Sequence, residues 1–203
     1  MNLLALDTSS PRGIIALETT AGPLFSRYNE VALQHNAFLL PGIKAVLDEA
    51  RLTVQDVDVI ACSVGPGSFV GTRLAVAVAQ GFGYALQKPL IALNHLEIMA
   101  ESARRLHGFD EVLVALDAKM GAFYFHHHET QLLRFDHLTQ EFKDLCDAIP
   151  HKIGDAWQTF PAHPIQCDGI DLITLAKKKP PLLHPEMLLP LYLGDEGNWK
   201  KSV

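Results

Sequence analysis

Apolar and polar positions in the front half of the chain alternate between short strand-like runs and longer helical ones. The strand-like runs are rich in β-compatible residues and are separated by turn-forming residues. The helical runs repeat apolar residues at steps of three and four. In chain order, the pattern predicts three strands, a helix, a strand, a helix and a strand: Leu3–Leu6, Gly13–Leu17, Leu24–Tyr28, His35–Ala50, Val57–Val64, Ser68–Leu86 and Leu90–Leu93. This order is typical of mixed α/β folds.

The second half of the chain begins like the first. The run Leu3–Asp7 is echoed by Leu113–Asp117, and a glycine-led strand follows each of them. Either the chain contains two related α/β lobes, or the echo is chance, since apolar strands that end in Asp are common. We predict a first lobe over residues 1–107 and a smaller second lobe over 108–203. Beyond Pro150 only Asp168–Lys178 has a helical pattern, so we expect an irregular tail that wraps over the rest.

The amino-acid composition argues against several classes of function for this chain. Seventeen basic against twenty-three acidic side chains give a net charge of −6, which disfavours a stand-alone nucleic-acid binder because such binding depends on neutralising phosphates. The spacing of the three cysteines indicates neither a disulfide framework nor a zinc site. The most apolar region is interrupted by Gly65-Pro66-Gly67 and contains Arg73. We therefore expect no membrane span and a cytoplasmic location.

The stretch from Gly65 to Arg73 is the most distinctive motif. It follows an apolar strand and opens a helix, where backbone N–H groups can hold an anion. It lacks the Gly-Lys-Ser/Thr ending of a phosphate-binding P-loop, and Val70 stands where a dinucleotide fingerprint or a nucleophile elbow requires glycine. We interpret Ser68 as the N-cap of the helix and keep phosphate binding as the alternative.

Small residues recur every four positions along the second predicted helix, at Gly71, Ala75, Ala79 and Gly83. They lie on one side of the helix, and glycine inside a helix costs about 1 kcal/mol relative to alanine. Another backbone is therefore expected to pack closely on this stripe. The sequence leaves two candidates open, which are the chain's own sheet and a helix of another subunit.

Asp7 and Asp117 end the two echoed strands, where a pair of carboxylates would suit a metal–nucleotide site. The candidate nucleotide-binding residues are Asp7, Thr8, Ser9 and Asp117. No glycine immediately follows either aspartate, so close contact with a phosphate is not favoured. On a strand, His127 points away from His126 and His128. We therefore predict no metal site there and surface positions for these histidines.

Five motifs, in order, carry a family resemblance: Ala5-Leu6-Asp7-Thr8-Ser9, Leu39-Leu40-Pro41, the Gly65–Arg73 stretch, Pro89-Leu90-Ile91 with Leu96-Glu97, and Leu116-Asp117-Ala118-Lys119-Met120-Gly121. The chain resembles the bacterial TsaB (YeaZ) family, most strongly over residues 1–125. The resemblance implies a two-lobed actin-like ATPase (ASKHA, ribonuclease H-like) α/β fold with a degenerate active site. Thr72 departs from the family, which usually has an aliphatic residue there.

The resemblance also implies a role. It is that of a non-catalytic dimerisation subunit, which supports a TsaD-type transferase in forming N6-threonylcarbamoyladenosine beside the anticodon of tRNAs that read codons beginning with A. The implied partners are that transferase, bound through the first-lobe helices, a TsaE-type ATPase, and a second copy when the chain is alone. Contact with tRNA would come only through the complex. No cofactor is expected in this chain, and ATP with Mg²⁺ would act at the level of the complex.

The expected partner interface is centred on the small-residue stripe. It comprises Gly71, Thr72, Ala75, Ala79 and Gly83, together with His35 and Leu39 of the first helix. The alternative is an enzyme, either an ATP-binding member of the actin-like lineage or a glycoprotease-like hydrolase. The hydrolase alternative lacks a histidine metal pair and a recognisable Ser–His–Asp arrangement.

Overall fold

The first half of the chain forms a five-stranded mixed sheet. The computed structural model describes residues 1–29, 34–119, 122–127, 133–135, 140–157, 162–182 and 184–191. The strands of the first sheet are β1 (Leu3–Asp7), β2 (Gly13–Glu18), β3 (Leu24–Asn29), β4 (Val59–Ser63) and β5 (Leu90–Leu93). Their order is β3-β2-β1-β4-β5, in which β1, β4 and β5 are parallel and β2 is antiparallel to both of its neighbours.

A second sheet repeats this arrangement. Its strands are β6 (Leu113–Lys119), β7 (Ala122–His127), β8 (Leu133–Phe135) and β9 (Lys152–Ile153). The order β8-β7-β6-β9 matches β3-β2-β1-β4, with antiparallel β6–β7 and β7–β8 pairs and a parallel β6–β9 pair. The echo between the Leu3 and Leu113 runs therefore corresponds to equivalent central strands in two structural repeats.

Five α-helices connect and cover the sheets. They are α1 (His35–Ala50), α2 (Phe69–Leu86), α3 (His95–His107), α4 (Gln140–Ala148) and α5 (Gly169–Ala176). The predicted bounds of α1 and β5 are confirmed, and the other front-half elements agree within two residues. The pattern analysis did not predict α3, α4, β8 and β9.

Both faces of the first sheet are buried. Along β1, Leu4 and Leu6 face a core shared with α1 and α2, whereas Leu3 and Ala5 face a core shared with α5. This alternation follows from the two-residue period of a strand. α1 lies over β2 and β3, and α2 lies over β1, β4 and β5. The two helices therefore form one layer over the sheet.

Helix α3 lies at the junction of the two lobes. It packs against α5, which covers one face of the first sheet, and against β6, β7 and β9 of the second sheet. Its Leu96, Met99 and Ala103 side chains are buried with Val114 and Ile153 of the second sheet. Its Ile98 belongs instead to the core between the first sheet and α5. One helix thus contributes to both cores.

The chain returns to the first lobe after the second sheet. α5, predicted as Asp168–Lys178, packs on β1, β2 and β3 rather than on the second sheet. Leu188 is fully buried in the core beneath α1 and α2. The predicted second lobe of 108–203 is therefore corrected: the described residues from 169 onward pack with the first lobe. A return of this kind has no local signal, because burial against a distant sheet looks like any amphipathic pattern.

An ion pair between a partly exposed arginine and a buried aspartate attaches α5 to α3. Arg105 donates from Nε and Nη2 to the two carboxylate oxygens of Asp171, at 2.6 and 2.9 Å. The Asp171 side chain is only 1 % exposed, and it also accepts from the backbone N–H of Asp168. A two-point Arg–carboxylate contact of this kind is geometrically specific.

We expect Arg105→Ala to lower the free energy of unfolding by about 3 kcal/mol, because it leaves the Asp171 carboxylate buried without its cation. The matched control is Arg104→Ala, one residue earlier. Arg104 is half-exposed, and its nearest carboxylates lie at 3.6 and 3.8 Å, so its loss should change stability by less than about 0.5 kcal/mol. Urea denaturation of both variants measures the difference. Equal losses of unfolding free energy in the two variants would show that the Arg105–Asp171 pair contributes little to holding α5 against α3.

Candidate functional site

The turn after β1 and the loop before α2 are in direct contact. The backbone N–H of Ser68 donates to the Ser9 carbonyl oxygen at 2.6 Å. The Thr8 hydroxyl donates to the Gly71 carbonyl oxygen at 2.7 Å. The Ser68 hydroxyl accepts from the backbone N–H of Gly71 at 3.2 Å, which confirms Ser68 as the N-cap of α2. The first turn of α2 is therefore attached to the end of β1.

The Asp7 carboxylate lies inside a closed hydrogen-bond network. The backbone N–H and the hydroxyl of Ser9 donate to Asp7 Oδ1, at 2.7 and 2.5 Å. His95 Nδ1 lies 3.0 Å from Asp7 Oδ2. The Ser9 hydroxyl is also 3.0 Å from the Ser63 hydroxyl. All four side chains are at least nine-tenths buried. The network joins the ends of β1 and β4 to the first residue of α3.

Opposing effects set the pKa of Asp7. Burial acts to raise this pKa, but the charge of His95 and the hydrogen bonds from His95 and Ser9 together outweigh burial, and the pKa lies below its ordinary value. Asp7 is thus an ionised, internally satisfied group. Sequence reasoning missed His95 and Ser63, since nothing in their local pattern shows that they meet Asp7.

The predicted nucleotide-binding residues do not form an open site. Asp7 and Thr8 are completely buried and Ser9 nearly so, and the two carboxylate oxygens of Asp7 already have partners. Asp117 lies in the second sheet, where its backbone N–H donates to Asp155 Oδ1 at 2.8 Å. The enclosure of Asp7 accords with the sequence analysis, which did not favour close contact with a phosphate there. The enclosing contacts come from α2 and α3, which the strand-end pattern cannot reveal.

The small-residue stripe packs on the chain's own sheet. Ala75 and Ala79 are completely buried, and Gly71 and Gly83 are buried as well. A Cβ added at Gly71 would overlap the carbonyl oxygen of Thr8, and one added at Gly83 would come within 2.8 Å of Leu90 Cδ2. The stripe is therefore small so that α2 can approach β1 and β5 closely.

This packing corrects the predicted partner interface. Its seven residues, Gly71, Thr72, Ala75, Ala79, Gly83, His35 and Leu39, are all buried within the first lobe. A four-residue period of small side chains identifies a close contact but not the partner in it. Arginine at Ala79 would accordingly disrupt the fold rather than only block pairing.

The sides of α1 and α2 that face away from the first sheet carry exposed apolar side chains. Among the described residues, four large hydrophobic side chains on these helices are more than half exposed: Leu40, Phe69, Val70 and Tyr84. We call them the α1–α2 face. The Arg73 guanidinium lies over the Phe69 ring, 3.1 Å from its centroid. Exposed aromatic and aliphatic side chains on two neighbouring helices make this side of the lobe a candidate interaction surface.

Helix α2 is also the single helix of the described part that is long and apolar enough to cross a membrane by length and composition. In this fold one of its sides is packed on the first sheet. Leu74, Val78 and Phe82 are partly buried against the same core, while Phe69, Val70 and Tyr84 are exposed.

Other histidine and cysteine side chains that could carry chemistry are buried or already have a contact partner. His126 is buried, contrary to the predicted surface position, and His127 lies 3.1 Å from Glu111 through Nε2, whereas His128 is outside the described residues. Burial raises the pKa of the Cys62 and Cys167 thiols, so neither is a reactive thiolate at neutral pH. In the described ranges no three His, Cys, Asp or Glu side chains are grouped closely enough to hold a metal ion.

Two α/β lobes with the same strand order, joined by α3, define the class of this protein: it has the actin-like ATPase fold. A sequence model of the family described as "TsaD: tRNA N6-adenosine threonylcarbamoyltransferase" matches residues 29–166. The chain is 26 % identical to the tRNA threonylcarbamoyladenosine biosynthesis protein TsaB of Escherichia coli, over 99 % of this chain and 98 % of that protein.

Two further comparisons agree with this match. The Haemophilus influenzae TsaB is 35 % identical over 67 % of this chain and 57 % of its own length. The structure of YeaZ from Pseudomonas aeruginosa superposes with a TM-score of 0.76 at 30 % identity, covering 95 % of this chain and 99 % of that one. The chain belongs to the TsaB (YeaZ) family of tRNA threonylcarbamoyladenosine biosynthesis proteins.

We expect Gly71→Ala to destabilise the chain by several kcal/mol, because the new methyl group must displace the Thr8 backbone. Gly81, in the same helix, is the matched control, since a Cβ added there meets nothing within 4 Å. Gly81→Ala should raise stability by up to about 1 kcal/mol through helix propensity. Thermal and urea unfolding of the two variants tests the internal packing of the stripe. Similar changes in stability for Gly71→Ala and Gly81→Ala would contradict this packing of the stripe on the sheet.

The Asp7 network predicts a defined pH dependence. Since the folded pKa of Asp7 is lowered, its contribution is complete above the unfolded pKa of about 3.9 and is lost as pH falls through the folded value. Asp7→Asn should lower stability at pH 7 by roughly 2–3 kcal/mol and flatten the acid limb of the stability curve. Asp110→Asn, at a side chain 95 % exposed, should leave the curve unchanged. Parallel curves for the wild type and Asp7→Asn would refute the prediction.

Proposed function

We propose that this chain is a non-catalytic scaffold subunit, which binds a TsaD-type transferase and supports it in forming N6-threonylcarbamoyladenosine beside the anticodon of tRNAs that read A-starting codons. The observation that carries the proposal is the contrast between two parts of the first lobe. The strand-end carboxylate Asp7 is enclosed and internally bonded. The α1–α2 face is exposed and apolar.

The exposed face supports a role in protein binding. Burying side chains such as Phe69 and Tyr84 in an interface removes a large apolar area from water, and aromatic residues often dominate the energy of interfaces. The match of residues 29–166 to the transferase family supports the choice of partner. Two related chains can present similar helix pairs to each other around an approximate two-fold axis, as identical subunits do around an exact one. The same face then serves a homodimer when the chain is alone.

The enclosed network supports the absence of catalysis. A nucleotide-bound Mg²⁺ needs carboxylate oxygens that it can reach, and the Asp7 oxygens are buried with partners. Burial also keeps the Cys62 and Cys167 thiols protonated, which removes them as nucleophiles. The chemistry is accordingly assigned to the transferase subunit.

The remaining assignments follow from this role. The chain holds no nucleotide or metal of its own, and Mg-ATP acts in the complex together with a TsaE-type ATPase. Its net charge of −6 disfavours direct tRNA binding, so tRNA contacts the chain only through the complex. The complex acts in the cytoplasm.

We expect the mass of the chain, measured by light scattering, to change from a homodimer to a one-to-one heterodimer when the purified transferase homologue is added. Val70→Arg should abolish both associations while leaving the unfolding midpoint unchanged, because Val70 is 74 % exposed. Leu106→Arg is the matched control, since Leu106 is exposed on α3, whose contacts lie away from the α1–α2 layer.

No association of the wild type with a folded transferase would overturn the scaffold proposal. Calorimetric titration of the isolated chain with Mg-ATP is the companion measurement. We expect no heat of binding in the wild type or in Asp7→Ala. Binding that Asp7→Ala removes would favour an ATP-binding enzyme instead.

A further inference from the structure

A segment distant in sequence lies along α2. Leu182 pairs with Leu90 at the start of β5 in an antiparallel bridge. The Gln80 side chain on α2 donates to the Leu188 carbonyl oxygen at 2.8 Å, and the Leu191 N–H donates to the Val64 carbonyl oxygen at 2.8 Å. These contacts run from the end of α2 back towards its beginning. We call residues 184–191 the flanking segment; it is antiparallel to α2.

The sheet order shows which side of α2 this segment occupies. α1 covers β2 and β3, and α2 covers β1, β4 and β5. Because β5 is the edge strand next to β4, a segment anchored at β5 and at the end of β4 lies on the side of α2 away from α1. α2 is therefore the middle element of three, between α1 and the flanking segment.

The flanking segment combines a buried anchor with exposed apolar side chains. Leu188 is completely buried in the core beneath α1 and α2, whereas Met187 and Leu189 on either side of it are 59 % and 64 % exposed. His184 and Glu186, which lie 3.4 Å apart, are also exposed. The segment thus holds two large apolar side chains in solvent on a fixed backbone.

These two side chains are part of a wider concentration of apolar surface. Of the nine exposed large hydrophobic residues in the described ranges, six lie on α1, α2 and the flanking segment: Leu40, Phe69, Val70, Tyr84, Met187 and Leu189. The remaining three lie at the N-terminal residue, on α3 and on α5.

We propose that Met187 and Leu189 extend the α1–α2 face and contact the same transferase-type subunit, so that the docking surface has three elements rather than two. This proposal rests on the proposed function. The choice of occupant rests on continuity with the α1–α2 face, because the Gln80–Leu188 hydrogen bond ties the segment to the helix that carries Phe69, Val70 and Tyr84. A helix with its side chains is about 10–12 Å across. A partner helix laid over α2 is therefore wide enough to contact the flanking segment beside α2 as well. The exposed His184 and Glu186 form a polar rim, as interfaces generally have.

The test compares three pairs of matched substitutions in the full-length chain. Met187→Ser with Leu189→Ser tests the flanking segment, Val70→Ser with Tyr84→Ser tests the α1–α2 face, and Leu106→Ser with Ile170→Ser is the control on α3 and α5. The dissociation constant for the purified transferase homologue is measured by calorimetry, and the self-association constant is measured by sedimentation. We expect the flanking-segment pair to weaken transferase binding at least tenfold, the α1–α2 pair to weaken it more, and the control pair to leave it within twofold.

The outcomes separate the two proposals. Transferase binding within twofold of wild type for the flanking-segment pair, with strong loss for the α1–α2 pair, overturns this inference and leaves the proposed function intact. Loss of self-association alone also overturns it, because the segment would then serve a second copy. Wild-type chain that does not bind the transferase overturns both. Unfolding midpoints of all variants are compared with wild type, and if the double variant unfolds, Met187→Ser and Leu189→Ser are measured singly.

Discussion

The close contact between α2 and the turn after β1 determines much of this structure. Gly71 has no side chain at the point where α2 meets the Thr8 carbonyl oxygen, and Ser68 is hydrogen-bonded to Ser9. With no room for a Cβ, the small face of the helix is committed to the sheet. The side of α2 that carries Phe69, Val70 and Tyr84 then faces outward.

The junction of the lobes depends on a second set of contacts, in which charge is prominent. Arg105 and Asp171 join α3 to α5, while the lysines that follow α5 reach carboxylates on β2 and α3. All three lysines of this run have a carboxylate partner: Lys177 pairs with Glu18, Lys178 with Glu101, and Lys179 with Glu97. The pairs are exposed to differing degrees, so each contributes modestly. Their common effect is to hold the returning chain against the first lobe.

The Asp7 network closes the end of the central strand. The carboxylate lies where β1 ends, and its partners are Ser9 and His95 of the same chain. Ionisation of Asp7 is stabilised by these partners and serves folding. The network therefore contributes to a rigid first lobe, on which the outward sides of α1 and α2 are held in place.

The sequence alone was enough to predict the strands of the first sheet with α1 and α2, the capping role of Ser68, the repeat of the two central strands and the family. Each of these has a local signal: hydrophobic period, a capping side chain, or a motif. The hydrophobic pattern was not used to predict α3, although Leu96, Met99 and Ala103 follow the same three- and four-residue steps as the predicted helices. Long-range packing directs Gly71, Ala79 and their neighbours to the chain's own sheet. It also brings His95 to Asp7 and the residues near 188 back to α2. Periodicity states which residues share a face, whereas what covers that face depends on distant parts of the chain.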